Sequence, residues 1–396
     1  MTGRRDSTFA NSLALHVVLV IAMISATFVV NSFGILSRFL IDDLNLSRAQ
    51  VGGLVSAFSI VAAFASPPVG RLVDRIGDRS GAAWLFSLSA IGMAGIAIAS
   101  TYALLLAAAA LSGLAQSFAN PATNKFIARY IETGRRGLTV GIKESGVQVG
   151  IFLGGLLLPL GALTIGWRLT IVLSAILPLA ALVVSRLLLD PTAASEEGPS
   201  PEGSVRRPFT GVSWLAAFSF LMGVGAGAIL TYLPLYAQEV VGMTVSQAGG
   251  VVALTGLVAI GGRISWALLS DRVVHFAVPL MAVALVASAA ATLIQGASAL
   301  GASLLWLGAI LAGSSSASFS SITMLAVIEG AESAEHGRAS GIVLMGFLLG
   351  LAAGPPAFGY SVDVTNSYTL GWWAVLLSFA GAAFVARGWF RSVRRA

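Results

Sequence analysis

A chain of 396 residues that is 57% hydrophobic and only 10% charged cannot cover a soluble surface, since soluble domains carry about 25% charged residues. The absence of cysteine excludes disulfides and thiolate metal sites, and three separated histidines (His16, His275, His336) argue against a metalloenzyme. The formal charge of +6 does not point to nucleic acid, because the basic residues collect at the ends of apolar runs, as membrane orientation demands.

Those runs fall at 13–39, 48–70, 80–100, 102–128, 138–161 and 167–189, then at 211–237, 246–268, 274–297, 301–328, 338–361 and 369–389. Each is long enough for a transmembrane helix, which needs about 20 residues. A β-barrel would alternate in segments of about 10 residues. The first run is longer than a signal-peptide core of about 7–15 residues and is expected to be a retained span. The fold class is therefore an all-α integral membrane protein of twelve spans.

Between the sixth and seventh runs lies DPTAASEEGPSPEGSVRRP, Asp190 to Pro208, a long polar stretch with four prolines. Nothing in it fills a core, so it reads as a solvated linker. The organisation is then an N-terminal six-helix bundle at 1–189, a cytoplasmic linker at 190–210 and a C-terminal six-helix bundle at 211–396. With the N-terminus inside, twenty of the 23 Lys and Arg fall on inner segments, and only Arg38, Arg48 and Arg168 outside. This asymmetry supports twelve spans independently of hydropathy and puts both termini in the cytoplasm, with the chain in the cytoplasmic (inner) membrane.

The halves also look duplicated. Span five carries Gly146, Gly150 and Gly154, and span eleven carries Gly346, Gly350 and Gly354, each offset by 200. Val73-Asp74-Arg75 after span two is echoed by Ser270-Asp271-Arg272 after span eight. Matches in the same order at similar spacing imply two repeats in parallel orientation.

The loop Gly70-Arg71-Leu72-Val73-Asp74-Arg75-Ile76-Gly77-Asp78-Arg79 resembles the signature loop of the major facilitator superfamily, G-x-L-x-D-R-x-G-R/D-R/K. Gly262-Arg263 through Asp271-Arg272 resembles its degenerate copy, and the resemblance covers the whole chain. It implies two pseudo-twofold-related six-helix bundles around a central cavity, working by alternating access. It also implies a conformational gate made of Gly70, Asp74, Arg75, Arg129, Asp271, Arg272 and Arg338. Gly70 is expected to admit a neighbouring backbone closely. Asp74 is expected to meet the start of span eleven near Arg338–Ser340, and Arg129 on span four. Antiporters of the superfamily carry G-x-x-x-G-P-x-x-G-G on span five; Ile151 stands here in place of the proline, so the glycines read as a packing stripe.

Polar residues inside the spans are the candidates for transport. Span four carries Gln116, Asn120, Thr123 and Asn124 on one face, and span five begins Lys143, Glu144, Ser145, Gln148. Substrate-binding candidates are Asn31, Asn120, Asn124, Lys143, Gln148 and Tyr232. Lys143 either meets a carboxylate substrate or snorkels to the interface. Glu144 either couples transport to protons or neutralises Lys125 or Arg129, and as neighbours on a helix Lys143 and Glu144 need not pair. The serines of span ten, Ser314 to Ser321, read as packing residues.

No phosphate-binding motif G-x-x-x-x-G-K-[ST] occurs, so a built-in ATP motor is excluded. A membrane enzyme would need a cluster of His, Asp or Glu, or a nucleophile with its base, at one depth, and the sequence offers none. The expectation is a secondary transporter, acting as a monomer without cofactor, for a small organic anion moved with protons. An exporter of small apolar compounds is the alternative. The anion is favoured because Lys143 is the most deeply placed cation and no acid lies mid-span.

Overall fold

A computed structural model describes residues 3–131, 135–188, 211–270, 273, 275–330 and 336–395, with side chains described except at 3–14, 137, 188, 336 and 393–395. The linker at 190–210 and the gate candidates Asp271 and Arg272 lie outside the described residues.

Every regular element among the described residues is a helix. They are α1 (Gly3–Ile35), α2 (Ser37–Leu44), α3 (Arg48–Ile98), α4 (Tyr102–Tyr130), α5 (Arg136–Ile165), α6 (Trp167–Ser174) and α7 (Ile176–Leu188). After the linker come α8 (Gly211–Glu239), α9 (Val245–Ser270), α10 (Ala277–Leu300), α11 (Ala302–Ser314), α12 (Ser320–Gly330), α13 (His336–Thr365) and α14 (Thr369–Arg395). Ten stretches are long and apolar enough to cross a membrane. One of them, α3, breaks at Gly77 (φ 83°, ψ 169°), a backbone that glycine adopts freely, so it makes two crossings. The short α11 and α12 together make one more. The total is the twelve expected from hydropathy and charge.

Local chemistry sets the ends. Ser47 caps α3 reciprocally with Gln50: Ser47 Oγ accepts from the Gln50 N–H, and Gln50 Oε1 accepts from the Ser47 N–H at 2.8 Å. Thr101 caps α4. Span six is split into α6 and α7 at Ala175, where Pro178 supplies no N–H to the Ser174 carbonyl. Span ten is interrupted at residues 315–319. There the hydroxyls of Ser315, Ser316 and Ser318 donate to the carbonyls of Leu311, Ala312 and Gly313. The serine cluster therefore satisfies a broken helix, where the sequence suggested packing alone.

The two glycine stripes do equivalent work in the two halves. A side-chain carbon at Gly146 would come within 2.5 Å of the Val20 carbonyl oxygen on α1, and one at Gly346 within 2.5 Å of the Ala216 carbonyl oxygen on α8. Gly350 and Gly354 likewise sit on the carbonyls of Phe220 and Val224. Each stripe presses its helix onto the first helix of its own half. Large apolar side chains such as Phe64, Ile98, Leu187 and Phe384 stand exposed, as lipid contact permits.

The halves meet closely at the end that carries Arg48. Gly34 on α1 packs against the Leu230 carbonyl on α8, and Gly52 on α3 against Pro355 and Pro356 on α13. Gly155 on α5 packs against Gly249 and Ala253 on α9. Toward the opposite end, a side-chain carbon at Gly141, Gly261, Gly337 or Gly341 would meet nothing within 4 Å. The molecule is sealed at its Arg48 end.

Candidate functional site

The polar residues of spans four and five form one assembly. Lys143 is 1% exposed, and its Nζ donates to Asn120 Oδ1 and Asn124 Oδ1, both at 2.9 Å. The same Nζ lies 3.0 Å from Glu144 Oε1. Three partners use the three N–H donors of an ammonium. In this state Lys143 is held inside the bundle, with its three donors turned to Asn120, Asn124 and Glu144. Lys143 and Glu144 do pair, because the Glu144 side chain, 38% exposed, folds back along the helix. Glu144 does not neutralise Lys125 or Arg129, which have other partners.

A second cation completes the assembly from the other half. Arg263, on α9, donates from Nη1 to the Glu144 carbonyl oxygen at 3.3 Å and from Nε to the Ala317 carbonyl oxygen at 3.4 Å. Neither bond uses Nη2. Ala317 lies in the break of span ten, which turns its carbonyl away from a regular helical partner. Gln148 Nε2 donates to the same carbonyl at 3.4 Å. Arg263 therefore lies along α5 between Glu144 and Gln148, where the halves touch. Sequence reasoning counted it with the inner-rim cations. The missed signal was its position five residues inside the predicted end of span eight.

Two further amide oxygens at this depth, Gln116 Oε1 and Gln148 Oε1, are buried and make no hydrogen bond among the described residues. Gln116 lies one turn from Asn120 on α4, and Gln148 lies just over one turn from Lys143 on α5. With a rise of about 1.5 Å per residue, both sit about 6–8 Å beyond the Lys143–Asn120 bond.

The other binding candidates lie elsewhere. Asn31 is buried one turn before Gly34, with Nδ2 unpartnered among the described residues. Tyr232 is 0% exposed, stacks on Phe358 at 4.7 Å and donates to the Arg48 carbonyl at 2.6 Å. In this state Tyr232 closes the seal rather than lining a cavity.

The seal has a charged centre at Arg48. Its Nη2 lies 2.7 Å from Glu239 Oε2 and its Nη1 3.7 Å from Asp363 Oδ1. Tyr368 donates to Glu239 Oε2 at 2.7 Å. Burial first, and then the Glu239 carboxylate, pushes the Tyr368 hydroxyl well above the usual phenol range, so it stays a donor. Asp363 also accepts from the backbone N–H of Arg48 at 3.1 Å and of Ala49 at 2.8 Å. A C-terminal-half carboxylate thus caps the helix that opens span two.

At the opposite end the gate candidates depart from expectation. Asp74 pairs with Lys125 at 3.1 Å, and Arg129 pairs with buried Asp78 at 3.1 Å. The Asp74 side chain is 68% exposed, and Arg75 and Arg338 are exposed. Ser340 donates to Met324 Sδ. Gly70 admits no backbone; its nearest neighbour is Pro121 Cγ at 4.0 Å. With the Arg48 end shut, the start of α13 takes no hydrogen bond or ion pair from Asp74 among the described residues. No group of three His, Asp or Glu suited to a metal occurs among the described residues.

The family model described as Major Facilitator Superfamily matches residues 18–355. An uncharacterized MFS-type transporter of Mycobacterium tuberculosis is 29% identical over 309 residues, which are 76% of this chain and 68% of that protein. Probable anion transporter 3 of Arabidopsis thaliana chloroplasts is 30% identical over 241 residues, 54% of this chain and 47% of that one. The gallate transporter of Pseudomonas putida is 29% identical over 175 residues, 43% and 38% of the two chains. A crystal structure of a mutant nucleoside transporter NupG superposes with a TM-score of 0.78 at 15% identity, covering 94% of this chain and 99% of that one.

Proposed function

Since the chain belongs to the Major Facilitator Superfamily, we propose that it carries a small organic anion together with protons across the cytoplasmic membrane. The observation that carries this reading is Arg263. Its guanidinium sits at the junction of the halves, held by two long bonds to main-chain carbonyls. Among the described residues it makes no ion pair with a carboxylate. A partly buried cation with no carboxylate in direct contact is only partly compensated, and a substrate anion offsets that cost while touching both halves. The gallate and anion transporters among the relatives support the same class.

Glu144 gives the reading its proton. Its carboxylate pairs with Lys143 at 3.0 Å, on the residue whose main-chain carbonyl accepts from Arg263, so its negative charge opposes an incoming anion. Protonation removes that opposition, so anion and proton load together. Lys143 fixes Glu144, and Asn120 and Asn124 fix Lys143. The charge distribution supports an Arg48 end outside; on that reading this conformation faces the cytoplasm, and the working unit is a monomer.

Uptake of labelled carboxylates into proteoliposomes, with and without an imposed inward proton gradient, tests the proposal. Uptake should rise when the outside is acidified. Arg263→Gln should lower apparent affinity about tenfold or more, from the ~1.5–3 kcal/mol of a hydrogen bond to a charged group. Carboxylate uptake indifferent to both changes would refute it. Because the chain lacks cysteine, single cysteines at Ser204 and Ser367 report orientation directly: only Ser367→Cys should label from outside intact cells.

A further inference from the structure

Gln148 is 2% exposed, yet its amide is only half used. Nε2 donates to the Ala317 carbonyl, which fixes the orientation of the amide, because the flipped form would set oxygen against oxygen. Oε1 is therefore the free end, buried and without a hydrogen bond among the described residues. Leaving such an acceptor unpaired costs about 1–3 kcal/mol, and a carboxylate cannot repay that, since it donates nothing. Gln116 Oε1, at the same depth on α4, has the same unmet need. Gln148 lies beside Arg263, which converges with it on the Ala317 carbonyl. One side of the site thus offers positive charge, and the other offers a hydrogen-bond acceptor.

We propose that the substrate is a hydroxylated carboxylate, with its carboxylate on Arg263 and a hydroxyl donating to Gln148 Oε1. This rests on the anion-transport reading and narrows it. Gln148 is then a specificity-determining residue: an acid that lacks the hydroxyl leaves a buried acceptor unpaired, a penalty that a polar site imposes strongly. Arg263 supplies attraction for either acid.

The test is calorimetric binding to the purified full-length protein of matched acids, 4-hydroxybenzoate against benzoate and lactate against propionate. In at least one pair the hydroxylated acid should bind about tenfold or more tightly. Gln148→Met, which keeps the volume and removes the acceptor, should erase that preference. A preference that survives Gln148→Met overturns the inference. So does equal binding within both pairs by the wild-type protein, a comparison that needs no variant to fold. Equal binding within both pairs would leave the anion reading standing. If all four acids fail to bind while a neutral or cationic compound does, the anion reading and this inference fall together.

Discussion

At the residue scale, the sequence singled out Lys143, and the structure gives it a different occupation. A cation 1% exposed survives in an apolar bundle because two amide oxygens and a carboxylate replace its water. The sequence placed Asn120 and Asn124 on one face of span four, but the antiparallel register that aligns them with Lys143 is a tertiary property. Arg263 was legible only as a charge near a helix end. Its inward direction depends on the tight fit of α9 on α5, where a side-chain carbon at Gly256 would come within 2.8 Å of the Phe152 nitrogen. These two cations should respond differently to substitution. Lys143→Ala should destabilise the protein by about 3 kcal/mol, the low end for breaking a buried pair, since water reaches the half-exposed Glu144. Arg263→Gln should leave thermal stability nearly intact and lower anion affinity. Thermal unfolding in detergent, run beside binding, separates the two. Equal losses of affinity with no loss of stability for Lys143→Ala would return it to the substrate site.

At the element scale, the spans and the glycine stripes were legible because both are short-range patterns: about 20 apolar residues, and small residues every four. The interruption of span ten was not. Hydropathy sees one apolar run there, and only the serines hint that carbonyls need substitute donors. The short α2 likewise overlaps only the end of the predicted run of 13–39 and continues past it to Leu44, so the sequence did not separate it from span one. The stripe carries a sharp prediction, because two glycines of α13 have opposite surroundings. Gly350 lies on the Phe220 carbonyl, whereas Gly341 has nothing within 4 Å. Gly350→Val should lower stability by about 1–3 kcal/mol through overpacking. Gly341→Ala should stay neutral or gain a few tenths of a kcal/mol from helix propensity. Thermal unfolding of the two variants checks this; similar behaviour would mean the stripe does not set the α8–α13 spacing.

At the scale of the whole molecule, the sequence could not say which end is shut, because each half packs internally the same way in either state. The sealed end answers it through Asp363, whose carboxylate caps the first span of α3. The signature-loop resemblance implies a reciprocal contact, in which Asp74 caps the start of α13 when the opposite end closes. The two acids would then latch the same pair of helices at opposite ends, one in each state, and transport would trade one latch for the other. Asp363→Asn keeps one acceptor but loses the charge, at a cost toward the low end of ~1.5–3 kcal/mol, which moves the balance between states about tenfold toward opening at the Arg48 end. Spin labels at Thr101 and Val240, both exposed near that end and on different halves, should show a longer-distance population in the variant. Labels at Arg75 and Arg338 should move closer in the same sample, because a rocking pair of bundles cannot open at one end without closing at the other. If the first pair separates while the second stays fixed, Asp363 merely holds a loop, and the reciprocal-latch account fails.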